Sequence, residues 1–262
     1  MSFASPDPES CSSYGPAAGS RCAVPRHHLG DPWPSLRTVR EAGHVDAARA
    51  VFDASAARYV ELAGTELNPA IDGAVDRAML AAFVELVQIG PAGFVADVGC
   101  GPGRAAAFVA ARGLPVVGMD VSLELLTFAR AAHPSIPFTE GRLDGLPFAD
   151  GSLAGIVSWY SIIYTPPARL AAAFTEFGRA LRPGGHLVLG FQCDDEPVHR
   201  PEAFGTPFAL TTYRHAIDLV ADRLVAAGFA VHATARREPV LAHDLTAQAF
   251  VIARSGPPFG TD

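Results

Sequence analysis

Residues 95–104 read Val95-Ala96-Asp97-Val98-Gly99-Cys100-Gly101-Pro102-Gly103-Arg104, and the next apolar run, Val116-Val117-Gly118-Met119, ends in Asp120. An apolar strand runs into a glycine turn and a helix, and a second apolar strand ends in a carboxylate. That pattern belongs to a nucleoside-binding crevice at the carboxyl edge of a parallel sheet. Turn glycines let the backbone approach a ligand closely, and an acid on the next strand tip can hold ribose hydroxyls. The spacing argues against a dinucleotide, whose fingerprint needs a third glycine where this chain has Arg104. Pro102 removes a backbone donor, which suits phosphate capture poorly. Asp97 would repel a pyrophosphate and attract an ammonium.

Outward from this turn, strands and helices alternate. Residues 41–63 are alanine-rich and predict a helix. In the next helix Ile71, Val75, Met79, Phe83 and Leu86 or Val87 fall on one face, and Gly90-Pro91 stops it. Strands are expected at 93–98, 115–119, 136–139, 154–160 and 186–192, with helices at 103–112 and 123–132. A further helix carries Leu170, Phe174, Phe177 and Leu181 before the turn Arg182-Pro183-Gly184-Gly185. The last helix carries Tyr213, Ile217, Val220 and Leu224 and ends at Gly228, and strands 229–235 and 247–253 fit an antiparallel hairpin. Repeated βα units predict an α/β fold, a parallel sheet with helices on both faces. Residues 1–40, rich in proline, serine and glycine, read as a disordered extension, with one domain over 41–254 and a flexible tail over 255–262. Within that domain, 41–90 reads as a helical cap and 91–254 as the core.

Residues 95–104 with Asp120 resemble the first two motifs of the class I S-adenosylmethionine-dependent methyltransferases. Residues 141–148 (GRLDGLPF), followed by Ala149-Asp150-Gly151-Ser152, look like that family's adenine loop. Residues 181–187 look like its turn into the fifth strand. The run Ser158-Trp159-Tyr160-Ser161-Ile162-Ile163-Tyr164 most resembles the small-molecule (type 11) branch found in actinobacteria. The resemblance implies a Rossmann-like fold with a central, mostly parallel seven-stranded sheet and a C-terminal antiparallel hairpin. Its cofactor would be S-adenosyl-L-methionine and its product S-adenosyl-L-homocysteine. It implies that Asp97, Gly99, Cys100, Gly101 and Gly103 surround the methionine part, that Asp120 takes the ribose hydroxyls, and that Val121 packs on adenine. Two departures stand out. Arg142 replaces an acid common in relatives, so adenine would rest on backbone at Arg142 and Leu143, or on Asp144. Leu153-Ala154 stands where Phe-Asp is common.

On the substrate side, Tyr59 either covers the methionine end, where its ring face would favour a sulfonium, or packs on the core. With Ser158 and Trp159 assigned to the cofactor, Tyr160 and Tyr164 are candidates to face the acceptor. The long connection over 193–210 holds Asp194, Asp195, Glu196 and His199, and His199 is the candidate general base. No ligand set for a metal is expected. His186, which opens a strand, and His133, which ends a helix, read as structural, and His215 and His243 carry no motif.

Composition narrows the partners. The 262 residues have a formal net charge of −7 and no basic run, which disfavours nucleic acid and anionic membranes. No stretch of eighteen apolar residues or signal-peptide pattern exists, and Cys11, Cys22, Cys100 and Cys193 form no C-x-x-C pair, so a cytoplasmic protein with reduced thiols is expected. The expected activity is methyl transfer to O, N or C of a small molecule of secondary metabolism. The alternatives are a cofactor-retaining enzyme that rearranges or cyclises its substrate, and a non-catalytic cofactor-binding subunit. The apolar first helices also permit a homo-oligomer.

Overall fold

The computed structural model describes residues 43–194 and 196–256. The extension expected over 1–40, residue Asp195 and the last residues of the expected tail lie outside the described residues.

Among the described residues, nine strands occur in chain order. They are β1 (Phe94–Val98), β2 (Val116–Asp120), β3 (Phe138–Glu140), β4 (Leu153–Trp159), β5 (Leu181–Gln192), β6 (Val198–Arg200), β7 (Leu210–Thr212), β8 (Phe229–Arg237) and β9 (Gln248–Ser255). Seven of them form one sheet in the order β3-β2-β1-β4-β5-β9-β8, and β6 pairs with β7 separately. Strands β1 to β5 are mutually parallel, whereas β9 runs antiparallel to both β5 and β8. The expected mostly parallel seven-stranded sheet and closing hairpin are therefore both present. Strand order reverses between β1 and β4, and at such a switch point the strand ends part to leave a crevice.

Six α-helices accompany the strands among the described residues: α1 (His44–Ala63), α2 (Ala74–Ile89), α3 (Arg104–Ala110), α4 (Leu123–Ala132), α5 (Leu170–Ala180) and α6 (Ile217–Ala226). Alternate residues of each strand feed two cores. Ala96, Val98 and Ile156 pack with Phe174 and Phe177 of α5 and Leu224 of α6. Val95 and Val157 pack with Leu80, Phe83 and Val84 of α2 and Val109 of α3. Strand β4 is buried along its whole length, which is why its sequence is almost wholly apolar rather than alternating. Its Gly155 leaves space for a ring, since a Cβ there would lie 2.7 Å from Phe83 Cζ. No helix among the described residues is long and apolar enough to cross a membrane.

Three local expectations change. On α2 the buried residues are Asp76, Leu80, Phe83, Val84 and Val87, while Val75 faces solvent and Ile71 precedes the helix. The apolar pattern misleads there because a buried carboxylate occupies one core position. Tyr213 lies before α6 and stacks on His215 instead of belonging to the helix. The long connection over 193–210 is structured by the β6–β7 pair and by a bridge between Ala203 and Thr206.

The buried carboxylate of Asp76 has a specific partner. Arg237, at the end of β8, donates from Nε to Asp76 Oδ1 at 2.6 Å and from Nη1 to Asp244 Oδ2 at 2.5 Å. All three side chains are almost fully enclosed. A second pair, Arg104 with Asp72 at 2.5 Å, joins the start of α3 to the segment before α2. Both locks tie the amino-terminal helices to the core. Removing one member of a buried ionic cluster leaves the others charged and unpaired, which typically costs about 3–5 kcal/mol. Arg237→Met is therefore expected to lower unfolding free energy by about that amount in urea titrations. A loss below about 1 kcal/mol, the range of an exposed pair, would show that the cluster is not a structural lock.

Candidate functional site

The turn after β1 is held by hydrogen bonds to the neighbouring strand. The amides of Gly99 and Cys100 both donate to the Met119 carbonyl, at 2.7 and 2.9 Å. Gly101 N–H donates to Asp120 Oδ2 at 2.8 Å. Gly99, Gly101 and Gly103 adopt φ values of +78°, +52° and +89°, a region that side chains disfavour. At Gly99 space is also excluded, since a Cβ would lie 2.2 Å from Ser161 Cβ.

Two carboxylates sit in this turn. Asp97 is fully buried, and its Oδ2 accepts the Ala106 amide of α3 at 2.8 Å. Its Oδ1 is buried with no hydrogen-bond partner. Burial pushes the Asp97 carboxyl up to about 7, against the pull of the Ala106 amide, and nearby Asp120 adds to the rise. Asp120 is differently held. Its Oδ1 accepts Ser122 N–H at 2.9 Å, and burial raises its pKa against the pull of the Ser122, Gly101 and Val121 amides. Ser122 caps α4 through Leu125 N–H at 3.1 Å and donates to Asp53 of α1 at 2.7 Å, tying that helix to the β2 tip.

These groups open onto one cavity of about 360 Å³. Asp97, Gly99, Cys100, Gly101, Asp120, Val121, Leu143, Trp159, Tyr160, Tyr164 and Tyr59 all line it, so the structure brings together most of the residues singled out in the sequence. Gly103 is absent from the lining and instead starts α3. Arg142 and Ser158 are also absent. Arg142 turns its guanidinium to Asp144 at 3.0 Å, and Ser158 is buried against the Ser161 hydroxyl at 2.6 Å. His199, the candidate base, is not brought to the cavity either. It lies on β6 with Nδ1 3.0 Å from Thr211 Oγ1, because the β6–β7 pairing sets His199 opposite Thr211.

The cavity has an aromatic wall. Phe52 packs edge-on against Tyr59 at 5.4 Å and Tyr164 at 5.1 Å, and Phe204 completes the group 5.5 Å from Tyr59. Phe204 comes from the connection after β6 with φ +50°, next to Gly205 at +78°. Tyr160 also holds a left-handed backbone, φ +57°, its amide bonded to the Gly190 carbonyl at 2.8 Å. Trp159 stacks on Phe250 at 5.4 Å. Burial pushes the hydroxyls of Tyr59, Tyr160 and Tyr164 above the usual phenol range, so all three stay protonated near neutrality.

Sequence reasoning missed several lining residues: His44 and Phe52 of α1, Phe204, Gln192, His243, Asp244 and Gln248. Only the strand ends carried a signal, since Gln192 and Gln248 close two apolar runs and face each other across the β5–β9 ladder. The others sit in segments without a motif.

A nucleoside that carries an ammonium fits this set of acceptors. The unpaired Asp97 Oδ1 asks for a buried cation, and the Asp120 carboxylate for hydroxyl donors. A family model described as a methyltransferase domain matches residues 95–185. The demethylmenaquinone methyltransferase of Beutenbergia cavernae is 31% identical over 139 residues, 53% of this chain and 55% of that protein. The chain spans about half the length of the curated relatives it matches. Among solved structures, magnesium protoporphyrin IX methyltransferase of Synechocystis, with bound S-adenosylmethionine, superposes with a TM-score of 0.61 at 17% identity. The alignment covers 82% of this chain and 98% of that one. The cyclase SpnF is equally similar in fold, with TM-score 0.61, 17% identity, and 80% and 96% coverage.

Asp97 makes a stability prediction for the unliganded protein. Its folded pKa of about 7 exceeds the ordinary 3.8, so the protonated form is favoured by folding. The associated stability is full below about pH 4 and is lost as pH rises through about 7. Asp97→Asn should therefore gain on wild type by about 1.4 kcal/mol per pH unit between about pH 5 and 7 and level off above. Urea titrations across that range check this, and a gap that does not change with pH would contradict it.

Proposed function

We propose that this chain is a class I S-adenosylmethionine-dependent methyltransferase that moves a methyl group to an O, N or C atom of a small-molecule acceptor of secondary metabolism. The observation that carries the reading is the single cavity in which an unpaired buried Asp97 oxygen, the Asp120 strand tip and an aromatic wall converge. Bound there, S-adenosylmethionine supplies an activated methyl carbon on a cationic sulfur.

The chain's own residues then have mainly to bind, align and exclude water. Asp97 holds the ammonium through Oδ1. Asp120 takes the ribose hydroxyls, and Val121 and Leu143 give adenine an apolar bed. Tyr59, Tyr164, Phe52 and Phe204 close the cavity against solvent, and their ring faces favour a neighbouring cation. Holding two reactants in line can supply roughly 7–11 kcal/mol of the barrier, so positioning alone is a sufficient source of rate. The fold shared with the cyclase SpnF favours one second reading, in which the same cofactor site serves a rearrangement without methyl transfer.

Calorimetric titration with S-adenosylmethionine, S-adenosylhomocysteine and NAD in parallel should show binding of the first two only. Asp120→Ala should weaken both by at least about tenfold, on the order of two lost charge-assisted hydrogen bonds, and should lower the thermal midpoint as well, since the Gly101 and Ser122 amides lose their acceptor. Unchanged affinity would remove Asp120 from the site. His199→Ala should leave affinity at the wild-type level. Mass spectrometry of acceptor mixtures then separates the two activities: a methyl gain supports transfer, and an isomerised product with no methyl gain supports the second reading.

A further inference from the structure

We propose that the acceptor is a phenol and that His243, with Asp244 beside it, is the base that takes its proton. The proposal rests on the methyltransferase reading above and names the acceptor class and the base for that site.

Two histidines line the cavity among the described residues, His44 and His243. His44 sits with Asp144, Arg142 and Arg169, beside Leu143, the end assigned to adenine. His243 is on the connection between β8 and β9. The antiparallel register that sets Gln192 opposite Gln248 brings this connection to the carboxyl end of β5, where Tyr160 also faces the cavity. Its Nε2 lies 3.8 Å from Asp244 Oδ1, the one imidazole–carboxylate pair within 4.0 Å among the described residues.

Asp244 is held far more firmly than a connecting loop requires. Its Oδ2 accepts the amides of Leu241 and Val240 at 2.9 and 3.1 Å as well as Arg237 Nη1. Arg237 is in turn anchored on Asp76 of α2. Burial alone would raise the Asp244 carboxyl, but Arg237 and these amides outweigh it and keep the group ionised. At 3.8 Å from Nε2, beyond hydrogen-bond distance, this fixed anion faces the positive charge that proton uptake would place on the His243 ring. The competing bases are unsuited: the three cavity tyrosines stay protonated, and His199 lies outside the lining. The aromatic wall of Phe52, Tyr59, Tyr164 and Phe204 matches a planar ring, and the Gln192 amide offers it a polar contact.

In the step so defined, the phenolic proton passes to the His243 imidazole as the acceptor oxygen forms its bond to the methyl carbon. The sulfur–methyl bond breaks and its electron pair stays on sulfur, giving a neutral thioether, a methyl ether and an imidazolium. The positive charge thus moves from sulfur to His243. Half-exposed, His243 then returns its proton to water.

The test uses wild-type protein saturated with S-adenosylhomocysteine and titrated with 4-nitrophenol, at a pH below that phenol's own ionisation. Its yellow phenolate band should rise as the phenol binds. His243→Gln, at wild-type affinity for S-adenosylhomocysteine, should lose the rise, and Asp244→Asn should diminish it. A wild-type complex that leaves the band unchanged overturns the proposal, as does a Gln variant that ionises the phenol as fully as wild type. Failure of wild-type protein to bind S-adenosylhomocysteine is a separate outcome, which overturns the methyltransferase reading and this proposal with it.

Discussion

The carboxylate of Asp97 is sealed from water with one oxygen satisfied by the Ala106 amide and the other by nothing in the protein. Burying an anion in this way is costly unless a cation or donors compensate. The surroundings over-determine the position. β1 is enclosed on both faces, Gly99 is wedged against Ser161, and the turn's amides are fastened to Met119 and Asp120 on β2. Strain of this kind persists only where the surrounding structure enforces it, and it clusters where a ligand later relieves it.

The amino-terminal helices make that arrangement a cavity. α1 reaches the β2 tip through Asp53 and Ser122, and α2 is tied to the end of β8 through Asp76 and Arg237. Arg104 belongs to the same logic. It occupies the position at which a dinucleotide site would need glycine, and its charge is spent on Asp72. The departure that argues against a pyrophosphate in the sequence thus has a structural use in fastening the segment before α2 to the start of α3. The Asp76–Arg237–Asp244 cluster links α2 to the cavity lining as well, since Asp244 lines the cavity.

Much of this was legible in the residues, for physical reasons that differ from element to element. β1, β2 and β4 are buried on both faces and so read as unbroken apolar runs, and the glycines between β1 and α3 are demanded by positive φ. The α2 stripe was misplaced because Asp76, a polar letter, fills a core position through a partner far along the chain. His199 looked like a base because it stands among acids in sequence, yet the β6–β7 ladder turns it to Thr211. Phe204, His243 and Asp244 reach the cavity only through long-range pairing of the connections that carry them. Neither periodicity nor local spacing encodes such a convergence.

The central claim is that the unpaired Asp97 oxygen and the Asp120 strand-tip carboxylate define a cofactor site. A crystal structure of the protein with S-adenosylhomocysteine tests it most directly. The account predicts the amino-acid nitrogen within hydrogen-bond distance of Asp97 Oδ1 and both ribose hydroxyls on Asp120. A nucleoside bound elsewhere, or in this cavity with Asp97 Oδ1 still unpartnered, would contradict it.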